Sequence, residues 1–525
     1  MNERKSDKDV TPVAQLVHSL IDKGNFGHAT TSIELVETHI SWVLLTGEYA
    51  YKIKKPVNLG FLNFSTLALR HKFCLIELEL NRRFTPELYL DVVSIGGRPD
   101  KPEIGAMPAL EWAVRMRQFP SDARLDRQIE QGHISTDDMR TFGESLAHLH
   151  EQSPTCSDTS PDPIRAISKP IEDNFTVLRE HCQKGDLPDR LNFLAKWCTK
   201  ELSRLSPIIQ DRQTTGKTRD CHGDLHLENL VQLDDRIAPF DCIEFDVNLR
   251  RIDVINEVAF LFMDTLRVER QDLGYSFLNR YLEVSGDYPG IALLSFYSVY
   301  RCLVRAKITI LRQIQTHKTE THADVVRYIK LAQQIALPKQ KPCLIICRGL
   351  SGSGKTHLSQ KLLSMLPAIR IRSDIVRKQS HAIGELESSD SSVGSGLYNP
   401  EITAETYTTL SQFSKIALTA GYNVIVDATC LHHAERDLLQ TTAKNCAARF
   451  AILNCTADDQ ILNQRVTARQ VKKHDASEAD LTVLNWQRAS LEPLSDVEQR
   501  VALTINTGKD SSAEEIVRQL QNIAL

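Results

Sequence analysis

GLSGSGKT, from Gly349 to Thr356, decides the reading of the C-terminal part of the chain, and the rest is most easily taken outward from it. It satisfies G-x-x-x-x-G-K-[ST], a loop whose backbone N–H groups cradle phosphates. In such a loop Gly349, Ser351, Gly352, Ser353 and Gly354 shape the cradle, Lys355 reaches the β/γ-phosphates and the Thr356 hydroxyl faces a metal. The flanks agree. Cys343 to Cys347 (CLIIC) is an apolar run suited to a buried parallel strand, and His357 to Leu366 has helical spacing. Strand, glycine loop and helix N-terminus make an anion site, because unpaired N–H groups and the helix dipole converge there. A domain binding ATP or GTP is expected to begin near residue 340.

A second stretch carries as much chemistry. Cys221 to Asn229 reads CHGDLHLEN, and Asp241 follows the short apolar segment Ile237 to Phe240. Phosphoryl transfer to a hydroxyl wants this set: an Asp for the hydroxyl proton, an Asn and a later Asp for a metal. Upstream, Ser41–Leu45 and Tyr49–Lys54 are strand-like across a Gly47-Glu48 turn, and Leu67–Arg83 is helical. Lys52 on that hairpin and Glu77 on that helix could grip phosphates together, or could be two solvated charges.

H-G-D-x-H-x-x-N with its later Asp resembles the aminoglycoside phosphotransferase and choline kinase group, over roughly residues 35–310. The LAHLH end of the helix Thr141–Glu151 resembles the helix those enzymes carry before the catalytic loop. The resemblance implies a bilobal protein-kinase-like α+β fold. It implies Asp224 as catalytic base, Asn229 and Asp241 as Mg²⁺ ligands, Lys52 with Glu77 as the phosphate-gripping pair, and Arg115–Phe119 near the adenine. No G-x-G-x-x-G loop precedes Lys52, and Asp241 stands in DCIEFD, which leaves the role of Glu244 open.

Beyond the phosphate loop, Ala368 to Asp374 reads as a strand ending in an acid, and Arg377 follows one turn later. Asn423–Asp427 is a β-run ending in an acid, and Arg465 and Arg469 stand at i, i+4 after the strand Arg449–Cys455. Lys472, Lys473 and His474 lead into a lid-like SEADLTVLNWQ, and residues 384–399 are Ser- and Gly-rich. Residues 340–525 resemble the P-loop kinases that include zeta toxins, gluconate kinases and polynucleotide 5′-kinases. That resemblance implies an α/β three-layer domain on a parallel sheet. It also implies Asp374 and Arg377 on the acceptor side, Asp427 with Thr356 at the metal, and Arg465 and Arg469 on transferring phosphates. The whole layout resembles bacterial fused aminoglycoside phosphotransferase/ATP-binding proteins.

Bulk properties bound the remainder. At 525 residues the chain exceeds one core. We divide it into residues 1–337, a Pro-bracketed linker 338–342, and residues 343–525. Residues 152–168 read as a loop, and Val258–Met263 as the most buried part of a helical region 248–335. Arg301, Arg305 and Lys307 read as a solvated helix face, or as one meeting an anionic acceptor. A net charge of −4 gives no global basic field for nucleic acid or membranes. No signal peptide or apolar run of membrane length is seen, and the 12 scattered cysteines suit reduced, buried thiols in the cytoplasm. The expectation is an ATP–Mg²⁺ phosphotransferase with two sites, acting on small hydroxylated metabolites of sugar or nucleotide-sugar type. The alternatives are an ATP-binding regulatory module, or a toxin-like or polynucleotide 5′-kinase activity in the second domain.

Overall fold

The computed structural model describes residues 11–30, 32–60, 62–156, 162–316, 322–337, 340–381, 399–472, 479–509 and 512–523. The Ser/Gly-rich stretch up to residue 398, and Lys473 and His474, lie outside them.

The first domain opens with the helix Pro12–Lys23 and an antiparallel sheet of β1 (Glu34–Glu37), β2 (Ser41–Leu45), β3 (Tyr49–Lys54), β4 (Tyr89–Arg98), β5 (Lys101–Ile104) and β6 (Glu111–Arg117). Its spatial order is β1-β2-β3-β6-β4-β5. The helix Leu67–Arg82, capped by the Thr66 hydroxyl, packs across β6 and β4 and so brings Glu77 over β3. Below lies a helical lobe in which two short antiparallel ribbons are set. One pairs β7 (Thr218–Asp220) with β10 (Arg251–Asp253), the other β8 (Leu230–Leu233) with β9 (Arg236–Pro239). The loop 221–229 runs between the ribbons, and Asp241 leaves the end of β9. Such a bilobal α+β arrangement is protein-kinase-like.

The helix Pro163–His181 begins inside the stretch read as a loop. Asp162 caps it and Pro163 fills its first turn, where a missing N–H costs nothing, so Pro and Asp here start a helix rather than prevent one. Val258–Met263 is buried throughout, as expected.

The second domain is a five-stranded parallel sheet of β11 (Cys343–Arg348), β12 (Ala368–Arg372), β13 (Asn423–Asp427), β14 (Arg449–Thr456) and β15 (Ala502–Asn506). The order β12-β13-β11-β14-β15 puts the phosphate loop after the central strand and Asp427 beside it. Strand periodicity divides the core: Leu344 and Ile346 face one apolar cluster, Cys343, Ile345 and Cys347 the other. None of the twelve cysteines is in a disulfide among the described residues. No helix among the described residues is long and apolar enough to cross a membrane.

The two domains share a core. The first cluster runs from the helical lobe, through the helix Pro400–Thr419, to one face of the parallel sheet. Tyr288 stacks on Phe413 at 4.9 Å, and the Ser295 and Tyr422 hydroxyls meet at 2.8 Å. The edge strand β12 would otherwise present unpaired backbone. Asn279, on the helix Gln271–Ser285, pairs with it as a strand would: its Nδ2 donates to Ala368 O (2.9 Å) and its Oδ1 accepts from Arg370 N (2.6 Å). Beside it, fully buried Glu283 accepts from Arg370 Nε and Nη2 at 2.9 and 2.6 Å.

Asn279→Leu keeps the bulk but leaves two backbone groups unpaired, at about 1–3 kcal/mol each. The urea midpoint of the full chain is expected to fall accordingly, and an unchanged midpoint would show that the edge is held by packing alone.

Candidate active sites

In the first domain the alternation of β3 sends Lys52 and Lys54 to the same face, and both are buried. Glu77 gives one oxygen to each: Lys52 Nζ donates to Oε1 at 2.7 Å and Lys54 Nζ to Oε2 at 2.6 Å. Lys52 also grips Asp241, and Lys54 grips Glu244. Burial alone would raise the pKa of Glu77, but the two ammonium groups hold it down at about 2. The solvated reading of Lys52 and Glu77 is thereby excluded. The role left open for Glu244 is to anchor the second lysine. Two ammonium groups face three carboxylates, and this net negative, all-oxygen surplus suits a hard divalent cation. Asp241 supplies the exposed part of it, its side chain 44% accessible.

Asp241 has φ 63°, a left-handed conformation that Asp tolerates better than most residues. Its N–H donates to the Tyr89 hydroxyl (2.9 Å), and the next N–H, of Cys242, to Asn81 Oδ1 (2.9 Å). The turn is thus fixed from the sheet and from the helix that carries Glu77.

Asn229 Nδ2 donates to Asp224 Oδ2 at 2.9 Å and to Asp224 O at 3.0 Å, so the five-residue spacing closes on itself. His226 Nδ1 accepts the Glu228 N–H (3.2 Å), and its Nε2 lies 3.4 Å from Asp224 Oδ2. Burial would raise the Asp224 pKa; His226, Arg305 and His222 pull it well below the usual carboxylate range. Gly223, at φ 88°, has no room for a Cβ, which would lie 2.8 Å from Leu249 O. Its N–H donates to Glu257 Oε1 (2.6 Å). Glu257 in turn holds His150 Nε2 (2.8 Å), and His150 Nδ1 meets the Tyr281 hydroxyl (2.9 Å). His150 is the last His of LAHLH.

Arg301 and Arg305 correct the solvated-face expectation. Arg301 donates to Gly223 O (3.0 Å) and Asn256 Oδ1 (2.8 Å), and Arg305 pairs with Glu228 (3.1 Å) and stands 3.0 Å from His226 Nε2. Both are buried supports of the loop 221–229. The cleft above is about 2000 Å³, with Val43, Ala50, Met116 and Phe119 giving it an apolar wall that suits a purine ring.

In the second domain each loop glycine is required by backbone geometry. Gly349 has φ 148°, and a Cβ there would lie 2.3 Å from Cys455 O; Gly352 and Gly354 have φ near +80°. Ser353 Oγ is buried with no hydrogen-bond partner among the described residues. Lys355 Nζ lies over the loop, donating to Gly349 O (2.9 Å) and Leu350 O (3.0 Å). Arg465 clasps the rim, donating to Gly352 O (3.2 Å) and to Thr507 Oγ1 (2.9 Å). Gln487 Oε1 accepts from Ser351 N at 2.8 Å. Thr507 was not anticipated, since it stands in no motif, and Gln487, the last residue of the lid-like SEADLTVLNWQ, was given no role of its own.

Asp427 is buried, and among the described residues it receives one hydrogen bond, from Ser359 Oγ (3.3 Å), with Arg372 Nε 3.9 Å away. An undersupplied buried carboxylate beside Thr356 again suits a hard cation. Asp374 does not end the strand: β12 stops at Arg372, and Asp374 lies in the first turn of the helix Ser373–Ser380. Arg377 Nη1 donates to its Oδ1 at 3.2 Å. Asp374, Arg377, Arg469 and Asp427 line one cleft of about 780 Å³ with Lys355, Thr356 and Arg465. It is separate from the cleft that gathers Lys52, Asp224, Asn229 and Asp241.

Folds and sites together define a two-domain kinase-type chain, protein-kinase-like at its N-terminal end and P-loop at its C-terminal end. The family described as an AAA domain matches residues 344–494. The chain belongs to one family with the Mycobacterium tuberculosis (strain H37Rv) protein named Uncharacterized protein Rv2004c. The two are 30% identical over 447 residues, 85% of this chain and 88% of that one. Uncharacterized protein Mb2027c of Mycobacterium bovis matches to the same extent. Among solved structures, a choline/ethanolamine kinase family protein from Mesorhizobium loti is similar over 58% of this chain and 88% of its own, at 12% identity and TM-score 0.37. The Mycobacterium tuberculosis APS kinase CysC is similar over 35% of this chain and 98% of its own, at 20% identity and TM-score 0.26.

Gly349→Ala is expected to abolish nucleotide binding at the second site alone, because the Cβ collides with backbone that cannot swing aside. Equilibrium dialysis with a labelled ATP analogue should fall from two sites per chain to one.

Proposed function

We propose that the chain is an ATP–Mg²⁺-dependent phosphotransferase with two separate sites, each transferring the γ-phosphate to a hydroxyl of a small metabolite of sugar or nucleotide-sugar type. The observation that carries this reading is that each cleft gathers its own acid, its own oxygen ligands for a metal and its own phosphate-facing cation. A binding module needs no acid held toward an acceptor.

In the first site Lys52, fixed by Glu77, would face the phosphates while Asp224 orients the acceptor hydroxyl and takes its proton as the bond to phosphorus forms. The depressed pKa of Asp224 keeps it ionised, so it is always in the accepting form. A loose, metaphosphate-like transition state asks for placement more than for basicity. In the second site the loop N–H groups and Lys355 would cradle the triphosphate, Arg465 and Arg469 would face the transferring group, and Asp374 would take the hydroxyl proton beside Arg377. Asn229 and Asp241 would hold Mg²⁺ in one site, Thr356 and Asp427 in the other. When bound, the ion supplies positive charge to the β- and γ-phosphate oxygens. Cysteines that are mostly buried and unbridged among the described residues suit a cytoplasmic setting.

The test is a metabolite extract incubated with γ-labelled ATP and the intact chain, then with Asp224→Asn and Asp374→Asn. Each variant should lose its own labelled products by about 10²–10⁴-fold while keeping ATP affinity. Labelling that persists in both variants would refute the assignment of acids. Asp241→Asn, which tolerates the left-handed turn, should instead weaken Mg²⁺–ATP binding at the first site, read as a higher Mg²⁺ requirement.

A further inference from the structure

Arg140 belongs to the first domain, on the helix Thr136–Gln152, yet its side chain lines the second domain's cleft. Its Nη1 donates to Gln360 Oε1 at 2.6 Å, across the domain boundary. Gln360 lies on the helix Lys355–Leu363, about 7.5 Å along the axis from Lys355. Arg140 therefore meets that helix beyond its first turn. Its neighbour on the sheet is Arg370, on the strand that leads to Asp374. Arg370 reaches Ser359 Oγ at 3.4 Å, and Ser359 reaches Asp427.

The charge around Arg140 is not balanced. Gln360 is neutral, and the nearest carboxylate, Asp137, lies 3.9 Å away with its side chain 91% exposed. The Arg140 side chain is 23% exposed. Glu283, the buried acid nearby, already receives two hydrogen bonds from Arg370 on one oxygen. Burial lowers the Arg140 pKa; Glu283 opposes this, while Arg370 and Arg280 add to it. The guanidinium thus sits half-desolvated among like charges, with one good hydrogen bond and a place in the lining of the cleft. Throughout that cleft cationic side chains far outnumber carboxylates, in a chain whose net charge is −4.

We infer that Arg140 completes an anion-binding subsite at the acceptor end of the second cleft, so that this site takes an alcohol bearing a phosphate, sulfate or carboxylate group and is built by both domains. The subsite rests on geometry and charge alone; its use for an acceptor rests on the transferase reading above. A planar guanidinium can meet two oxygens of such a group at once, and burial strengthens the contact. The acceptor hydroxyl would then face Asp374 while its charged end is held across the boundary by Arg140.

The probe is inorganic phosphate, titrated calorimetrically into the full chain saturated with Mg²⁺ and a non-hydrolysable ATP analogue, so that the triphosphate cradle is filled. Wild type should show saturable phosphate binding. Arg140→Gln, whose amide can still donate to Gln360, should weaken it about tenfold or more with analogue affinity unchanged. Arg140→Lys, which keeps the charge and most of the packing, should fall between them and serves if the Gln variant folds poorly. No phosphate binding in wild type, or the same isotherm in both variants, overturns the subsite. A panel of sugar acids and sugar phosphates against neutral sugars then tests its use. An Arg140-dependent isotherm with no transfer to any acceptor would keep the subsite and remove the transferase reading. Transfer to neutral sugars that ignores Arg140 would overturn the substrate class.

Discussion

The cluster of Lys52, Lys54, Glu77, Glu244 and Asp241 is the constraint on which the first domain's geometry depends. Its members come from a strand, a helix of the same lobe and the loop after β9, which belongs to the other lobe. Buried charges of this kind are costly unless each is paired, so the lobes can approach only where the pairs form. Glu77, with one oxygen for each lysine, is the member that cannot be replaced by a single-point contact. Asp241, held by Lys52 on one side and by the Tyr89 hydroxyl at its own N–H, is delivered to the cleft as a consequence.

The second site solves the same problem by other means. There the anion cradle is backbone, and its shape is enforced by three glycines, two of them at φ near +80° and one barred from any side chain by Cys455 O. Side chains enter afterwards, as clasps: Arg465 with Thr507 on one rim and Gln487 on Ser351 N–H. A substitution that changes charge should therefore be felt most in the first site, and one that changes backbone freedom most in the second.

What was legible in the sequence follows this division. Gly349–Thr356 and His222–Asn229 place their chemistry within a few residues, so spacing alone brings the groups together. Ser41–Leu45 and Tyr49–Lys54 were readable to the residue because alternation and a glycine turn are local signals. The supports were not readable. Arg301 and Arg305 show the polar-and-apolar spacing of a solvated helix, but their partners Gly223, Asn256 and Glu228 lie some 45 to 78 residues earlier. Glu244 as the anchor of Lys54 depends on a separation of 190 residues, and nothing local marks it. The prolines around residue 340 mark a change of domain, but they say nothing of whether the two bodies touch. The apolar faces that join them are spread over helices whose second buried side reads as ordinary core.

Two of the helices that make that contact also support the loop 221–229. The helix Thr136–Gln152 carries Arg140 near one end and, ten residues on, His150, whose ring holds the Glu257 carboxylate that receives the Gly223 N–H. The helix Gln271–Ser285 carries Tyr281 against that same His150, and Asn279 and Glu283 against β12. Ten residues of helix span about 15 Å, and a helix transmits displacement along its length with little bending. The support of Asp224 in one site and the lining of the other are therefore parts of the same rigid pieces. A movement of the loop 221–229 large enough to disturb the His150–Glu257 pair must either break that pair or carry Arg140 with it. The cores on either side are continuous and close-packed, so there is little slack to absorb the difference. Cutting the chain at its prolines would separate more than two domains: it would take Arg140 from one cleft and expose the face that steadies the loop of the other.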